Sequence, residues 1–429
     1  MILWRPYTQM QSSSPPILLD SAKGSFLYTK NGRKIFDGIS SWWLITHGHG
    51  QEDIVEAIAK QAEKLEQVVF SNFTHEPAEE LSELLESFLP KDLSSLFLSD
   101  NGSTAVEVAM KMAYQFAIQT GKPKKSKFVA FTHSYHGDTC GVMSVSATSA
   151  FNKPYKGMLF EVLRADQGTS MTDPLSQWVH SFKKIMEAQG NEVCAVLLEP
   201  LIQGAGGMIQ WPIEAIQQIY DIAKSHDCLV IFDEVMTGFG RTGTMFAFEQ
   251  IKRTPDLLCL SKGITGGFLP LGATIASKEI YTAFLSHDVD KMLFHGHSYT
   301  GNALSCAAAC ANLKLFKKIN FIQIISKMAN AHRESLKNIS NHPLIQKSNV
   351  CGSIATINLN HSNKYGNSIS REIQKMALQL NLFIRPLGNT IYLMPPYCST
   401  PEEITTAWSK LNTILNSNIE LFSELEELN

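Results

Sequence analysis

Two ionisable side chains stand directly after apolar runs in this sequence. Lys262 follows the run Leu257–Leu260, and Asp233 follows Cys228–Phe232, 29 residues earlier. Because a buried ammonium loses its water, the lysine either points to solvent at an ordinary strand end or is placed there for chemistry. The acid could be a helix cap, an ion-pair partner or a functional carboxylate. A spacing of one strand-helix-strand crossover predicts that both lie at the ends of nearby strands and open on one crevice.

The elements that would position these residues alternate along the chain. Apolar runs at 96–98, 128–131, 159–163, 194–198, 228–232, 257–260 and 273–276 are separated by helical patterns. Such runs are typical of a largely parallel sheet with helices on both faces. After Gly301 a long helical pattern covers 303–339, and short strands and helices follow. We therefore predict an α/β fold, with a large domain at 46–302 and a smaller α+β domain formed by 1–45 and 303–429.

Composition excludes several classes of protein. The chain has 429 residues, of which 44% are hydrophobic and 18% charged, and its net charge is −3. That balance argues against disorder and against binding nucleic acid or a membrane through bulk charge. The first residues show no signal-peptide pattern, and no apolar run approaches the length of a membrane span. The eight cysteines are scattered, and several lie in apolar runs, which indicates a reducing, cytoplasmic location.

Two further strand ends carry groups suited to a ligand. The turn 101–104, Asn-Gly-Ser-Thr, precedes a helical pattern and would present free N–H groups and hydroxyls to a phosphate, or serve as a plain helix cap. Tyr135, after the run 128–131, could stack on a flat ligand or be a simple loop aromatic. A lysine amine, a carboxylate, a phosphate-binding turn and a stacking aromatic together fit pyridoxal phosphate.

Other residues have plainer interpretations. His47 with His49, and His295 with His297, have a spacing that metals use, but no cysteine or carboxylate set surrounds them, so we expect no metal site. The pair Trp42–Trp43 is more often core than pocket when large aromatics are considered alone.

Longer motifs resemble a known family. Phe232–Gly243 and Ser261–Gly267 are similar to the class III aminotransferases of fold type I. The stretches 4–10, 40–43, 199–208, 384–388 and 391–397 resemble most closely the members of the biotin pathway. The resemblance extends from Trp4 to Tyr397. It implies a fold type I transferase that uses pyridoxal 5'-phosphate.

The resemblance assigns the cofactor site. It implies that Lys262 holds the cofactor covalently and that Asp233 holds the proton of the ring nitrogen. Tyr135 would stack on the ring and border the substrate. Gly102 and Ser103 would bind the phosphate.

The remaining implied roles involve a second subunit and the substrate. His297 and Ser298 would reach the phosphate from the partner subunit of a homodimer. Tyr7, Trp42 and Gly296 would line the substrate site together with Tyr135 and Lys262. Arg385 would bind a substrate carboxylate, although it could also pair with a surface acid. Arg241 and Tyr392 are weaker matches near the same pocket.

One segment departs from the family. The family commonly has Pro-Thr where this chain has His297 and Ser298, which keeps a hydroxyl but changes the backbone restraint. We expect phosphate binding to survive with altered geometry.

The resemblance implies a small-molecule reaction. An amino group would pass from S-adenosylmethionine to 7-keto-8-aminopelargonate in a ping-pong cycle, giving 7,8-diaminopelargonate. Lysine as the donor, or another ω-aminotransferase reaction, is the alternative. A non-catalytic cofactor-binding regulator is a second class, but the chain has no spare segment or basic arm for DNA.

Overall fold

The computed structural model describes residues 1–166, 174–362, 364–418 and 422. Its strands are β1 Leu19–Lys23, β2 Phe26–Thr29, β3 Lys34–Asp37, β4 Leu93–Ser99, β5 Lys127–Phe131, β6 Leu163–Ala165, β7 Val193–Leu198, β8 Ile202–Gln203, β9 Ile209–Gln210, β10 Leu229–Asp233, β11 Leu257–Leu260, β12 Gly272–Ser277, β13 Ile345–Cys351, β14 Ile354–Leu359, β15 Leu382–Phe383 and β16 Thr390–Leu393. Its helices are α1 Ser40–Trp43, α2 Glu52–Ala62, α3 Glu76–Glu86, α4 Gly102–Gln119, α5 Cys140–Val145, α6 Pro174–Gln189, α7 Ile213–Ser225, α8 Phe248–Ile251, α9 Lys278–Phe284, α10 Ala303–Lys318, α11 Phe321–Lys337, α12 Ser368–Gln379 and α13 Pro401–Ser417.

The central sheet has the order β4-β12-β11-β10-β7-β5-β6. Its strands are parallel except β12, which runs antiparallel to both of its neighbours. Alternate residues of one strand enter different cores: Val230 and Phe232 of β10 pack in one cluster, and Leu229 and Ile231 pack in the other. Because both faces of the sheet are covered, its strands are continuous apolar runs in the sequence. The predicted α/β fold with a largely parallel sheet is confirmed.

The N-terminal segment packs beside the C-terminal part of the chain. Strands β1, β2 and β3 form a sheet whose last member is β15, with Leu382 of β15 paired to Phe36 of β3. A separate sheet joins β13, β14 and β16. This pairing accords with the boundaries 1–45, 46–302 and 303–429, but the division into domains stays a prediction.

Two segments differ from the sequence interpretation. The helical pattern over 303–339 is two helices, because α10 ends at Lys318 and Asn320 caps α11 by accepting from the Gln323 N–H. The apolar run 159–163 contributes only its last residue to a strand, β6, which begins at Leu163.

The structure also bears on membrane association and on the cysteines. Within the described ranges, no helix combines the length and the apolar character needed to cross a bilayer. All eight cysteines lie within these ranges, and each is a free thiol.

Candidate active site

A cavity of about 670 Å³ opens where the parallel strands of the central sheet end. The loops after β4, β5, β7, β10 and β11 all reach it, as expected for the carboxyl edge of such a sheet. The residues that line it include Asn101, Gly102, Ser103, Tyr135, His136, Gly137, Asp138, Glu199, Asp233 and Lys262. The structure therefore brings the lysine, the acid, the turn and the aromatic together as the sequence predicted.

Lys262 lies at the end of β11, with its Nζ 4.6 Å from the centre of the Trp43 ring. Burial lowers the pKa of this amine to about 8, while the nearby carboxylates of Asp233 and Glu199 oppose the shift. Its backbone has a φ of 44°, a left-handed conformation that is uncommon for a residue other than glycine. The chain thus holds an amine that loses its proton readily, at the position where β11 turns into the cavity.

Asp233 ends β10, the parallel neighbour of β11. One of its oxygens accepts the Val235 N–H at 3.0 Å, and the other lies 2.7 Å from Nδ1 of His136, whose side chain is fully buried. Since a carboxylate can only accept, His136 donates from Nδ1. Two donors therefore fix this carboxylate while its remaining lone pairs stay available to the cavity.

The predicted phosphate turn is the first turn of α4. Asn101 caps the helix by accepting from the Thr104 N–H, which leaves the N–H groups of Gly102 and Ser103 without intrahelical acceptors. Ser103 Oγ also accepts the Asp138 N–H at 3.2 Å. Oriented N–H groups and the positive end of the helix dipole favour an anion here.

Two glycines make this arrangement of the α4 N-terminus possible. A Cβ on Gly137, whose φ is 131°, would overlap the Ser103 hydroxyl, and a Cβ on Gly102 would lie 2.7 Å from a methyl of Val235. Neither position has room for a side chain. Glycine at 137 lets the loop after β5 approach Ser103, and glycine at 102 lets the start of α4 approach Val235, which follows β10.

A tyrosine pair borders the cavity. The Tyr135 hydroxyl lies 3.3 Å from that of Tyr7, and Tyr7 donates to the Asp138 carboxylate. Burial, with the Asp138 hydrogen bond adding to it, raises the pKa of Tyr7 to about 12, and burial also raises the pKa of Tyr135. Both phenols are therefore protonated donors at neutral pH.

Arg385 lies next to Tyr7, outside the set of described residues that line the cavity. Its guanidinium carbon is 4.3 Å from the centre of the Trp42 ring and 5.9 Å from that of Tyr7, and Nη2 donates to the Tyr365 hydroxyl at 2.8 Å. Trp42 is half-buried here, whereas its neighbour Trp43 is 4% exposed. Trp43 lines the cavity beside Lys262, whereas Trp42 contacts Arg385.

A separate loop carries the predicted partner-subunit residues His297 and Ser298 and the predicted substrate residue Gly296. Gly296 and Ser298 are exposed, and His297 Nε2 is 3.9 Å from an oxygen of Asp100, which precedes the phosphate turn. In the described part of this single chain, none of the three lines the cavity.

Two weaker matches support the pocket from outside. Arg241 is fully buried and donates to the Ile45 carbonyl at 2.7 Å, and the Tyr392 hydroxyl accepts from Trp43 Nε1 at 2.8 Å. Neither lines the cavity. Both instead hold the segment that carries Trp43.

The sequence interpretation missed two site residues, His136 and Glu199. Glu199 is buried and accepts the N–H groups of Tyr135 at 3.0 Å and Gly204 at 2.8 Å. Burial raises the pKa of Glu199 to about 7, while the nearby His136 lowers it. The available signal was position alone, because Glu199 follows β7 and His136 follows Tyr135 in the chain.

Known proteins share this architecture. The sequence matches the family described as Aminotransferase class-III over residues 7–415. A protein of Synechococcus elongatus described as adenosylmethionine-8-amino-7-oxononanoate aminotransferase is 42% identical over 96% of this chain and 98% of that protein. A protein of Geobacter sulfurreducens with the same description is 37% identical over 94% and 93%.

Solved structures agree with the sequence relatives. The crystal structure of adenosylmethionine-8-amino-7-oxononanoate aminotransferase from Methanocaldococcus jannaschii is 34% identical, with a TM-score of 0.90 and 97% of each chain covered. A PLP-bound amine transaminase from an uncultivated Pseudomonas species is 28% identical, with a TM-score of 0.89 over 95% and 97%. The chain belongs to the class III aminotransferases.

Proposed function

We propose that this aminotransferase transfers an amino group from S-adenosylmethionine to 8-amino-7-oxononanoate and forms 7,8-diaminononanoate, a step of biotin synthesis. The observation that carries the proposal is the meeting of Lys262, Asp233 and the α4 N-terminus in one cavity, beside an arginine among aromatic rings. The names of relatives such as the Synechococcus protein support these substrates.

Pyridoxal phosphate fits the groups present. When bound, it withdraws electrons from the carbon that carries the substrate amine. In our proposal Gly102 and Ser103 bind its phosphate, and Asp233 holds a proton at the ring nitrogen. His136 supports this role because its hydrogen bond keeps the carboxylate in place. Tyr135 covers the ring.

Lys262 would carry the cofactor and move protons. A general base works best when its pKa lies near the working pH, and burial brings this amine to about 8. As a free amine, Lys262 would take the proton from the substrate carbon that carries the amino group and would hold it at Nζ. The neighbouring carboxylates of Asp233 and Glu199 oppose the loss of its charge, so the amine can still accept a proton.

Arg385 would bind the carboxylate of each substrate. A guanidinium presents a planar set of donors that matches a carboxylate. Trp42, Tyr7 and Tyr135 would contact the aliphatic chain, and Gly296 would line the same site. Apolar walls suit the long methylene chain of an oxononanoate.

We further propose a cytoplasmic homodimer in which His297 and Ser298 of one subunit reach the phosphate of the other. Val69, Phe73 and Tyr299 are exposed on adjacent segments that Gln67 joins by donating to the Thr300 carbonyl at 3.1 Å. Exposed large apolar side chains in such proximity favour a protein partner, here a second copy of the chain. Sedimentation velocity tests this, and a monomer at micromolar concentration would contradict it.

A titration of the visible absorption of the cofactor-loaded protein tests the reaction. We expect S-adenosylmethionine to bleach the yellow absorption and 8-amino-7-oxononanoate to restore it. Bleaching by lysine alone would keep the acceptor but change the donor. Restoration by pyruvate and not by the oxononanoate would indicate another ω-aminotransferase. A protein that takes up no pyridoxal phosphate would overturn the whole proposal.

A further inference from the structure

Arg385 has a neutral hydrogen-bond partner. Its Nη2 donates to the Tyr365 hydroxyl at 2.8 Å, while the guanidinium carbon lies 4.3 Å from the Trp42 ring centre. A phenol accepts one N–H and leaves the positive charge uncompensated, and stacking uses no N–H at all. The remaining N–H donors of Arg385 can therefore bind an anion. The contacts with Tyr365 and Trp42 restrict the orientation of the guanidinium.

The segment that carries Tyr365 is tied to the segment that carries Arg385. The buried Asn367 side chain donates to the carbonyls of Lys364 and Gly388, each at 3.1 Å. Gly388 follows Arg385 by three residues, and Ser370 Oγ also donates to its carbonyl at 2.6 Å. The phenol and the guanidinium thus keep one relative position.

Tyr365 also contacts Phe151. Its ring centre is 4.8 Å from that of Phe151. Phe151 in turn contacts Tyr7 at 5.4 Å and Tyr135 at 6.0 Å. Tyr365 therefore links the arginine to the aromatic residues beside the cofactor cavity.

We propose that Tyr365 is a specificity-determining positioning residue, whose hydroxyl holds the Arg385 guanidinium in the orientation that accepts a substrate carboxylate. This inference rests on the proposed role of Arg385. The ring of Tyr365 supplies apolar wall for any chain, whereas the hydroxyl favours only ligands that carry a carboxylate.

The test is calorimetric binding to the cofactor-loaded protein, with heptanoate and 1-heptanol as probes. Neither has an amine or a carbonyl that could react with the cofactor or with Lys262. We expect Tyr365→Phe to weaken heptanoate binding roughly tenfold, the effect of losing one hydrogen bond to a charged group. Binding of 1-heptanol should stay unchanged. Tyr281→Phe, at an exposed tyrosine of α9, is the matched control and should change neither.

Arg385→Gln, which removes the positive charge, separates this inference from the proposed function. If it leaves heptanoate binding intact, Arg385 is not the carboxylate site and the proposed function loses that assignment. If it weakens heptanoate binding while Tyr365→Phe does not, Arg385 keeps its role and the inference about Tyr365 is wrong. Equal weakening of both probes by Tyr365→Phe would also overturn the inference, because pocket shape and not the hydroxyl would then be responsible.

Discussion

Replacing Lys262 should stabilise the cofactor-free protein. Its pKa is about 8 in the folded chain, against 10.5 for an unburied lysine. Each pKa unit corresponds to about 1.4 kcal/mol, so the buried ammonium lowers the free energy of unfolding by at most about 3 kcal/mol near neutral pH. Methionine keeps an unbranched side chain of similar size without the charge. We expect Lys262→Met to raise the free energy of unfolding by up to about 3 kcal/mol at pH 7.

The sign of the pH dependence follows from linkage. Below pH 8 the amine is protonated in both the folded and the unfolded chain, so the whole penalty is present. Between pH 8 and 10.5 the unfolded chain binds more protons, and the stability of the native protein rises with pH. The advantage of Lys262→Met should therefore shrink to about half or less at pH 9.5 and vanish above 10.5.

Urea unfolding at pH 7 and pH 9.5 measures both values. The protein must be free of cofactor, since a ligand that binds only the native state adds its own stabilisation. Lys91→Met, at an exposed lysine, is the control and should show neither a comparable gain nor this pH dependence. A gain of equal size at the two pH values, or one matched by the control, would refute the argument from burial.

Three further substitutions probe the cofactor cradle, the tyrosine pair and the proposed dimer. Gly137→Ala should displace the Ser103 hydroxyl and weaken pyridoxal phosphate binding roughly tenfold in equilibrium dialysis, since overpacking costs about 1–3 kcal/mol. Tyr7→Phe should raise the KM of the substrates severalfold, because the donor to Asp138 is lost, while cofactor affinity stays unchanged. Ser298→Ala should also weaken cofactor retention in equilibrium dialysis.

Their controls follow from the structure. Gly121 has a φ of 77° and open space around its Cβ position, so Gly121→Ala reproduces the backbone strain of Gly137→Ala without the overlap. Equal loss of cofactor by both variants would contradict the argument that a side chain at position 137 displaces the Ser103 hydroxyl. Loss of cofactor by Tyr7→Phe would mean that Tyr7 supports the cofactor rather than the substrate. Unchanged affinity in Ser298→Ala would count against placing that serine at the phosphate.

Sequence reasoning identified Lys262 and Asp233 because each follows a strand that is buried on both faces. Such strands are continuous apolar runs, and their carboxyl ends meet at one edge of a parallel sheet. The Asn-Gly-Ser turn was equally visible, since the phosphate binding that we propose for it depends on backbone N–H groups at a helix start. These features depend on local composition and on one topological rule.

The residues that sequence reasoning missed depend on distant partners. His136 donates to a carboxylate 97 positions away, and Glu199 accepts from Tyr135, 64 positions away. Neither residue type nor spacing reveals such a pairing. The prediction of one helical segment over 303–339 was wrong for a local reason. The cap at Asn320 begins a new helix although the apolar periodicity continues.

By itself the sequence determined the sheet, the position of Lys262 at a strand end and the aminotransferase class, since these follow from short apolar runs and contiguous motifs. Only the tertiary structure decided which polar groups support them. It lowers the pKa of Lys262 through burial, places Trp42 rather than Trp43 beside Arg385, and joins Tyr365 to that arginine across 20 residues. Burial and long-range hydrogen bonds exist only once the chain has folded, and for that reason these roles could not be read from the order of the residues.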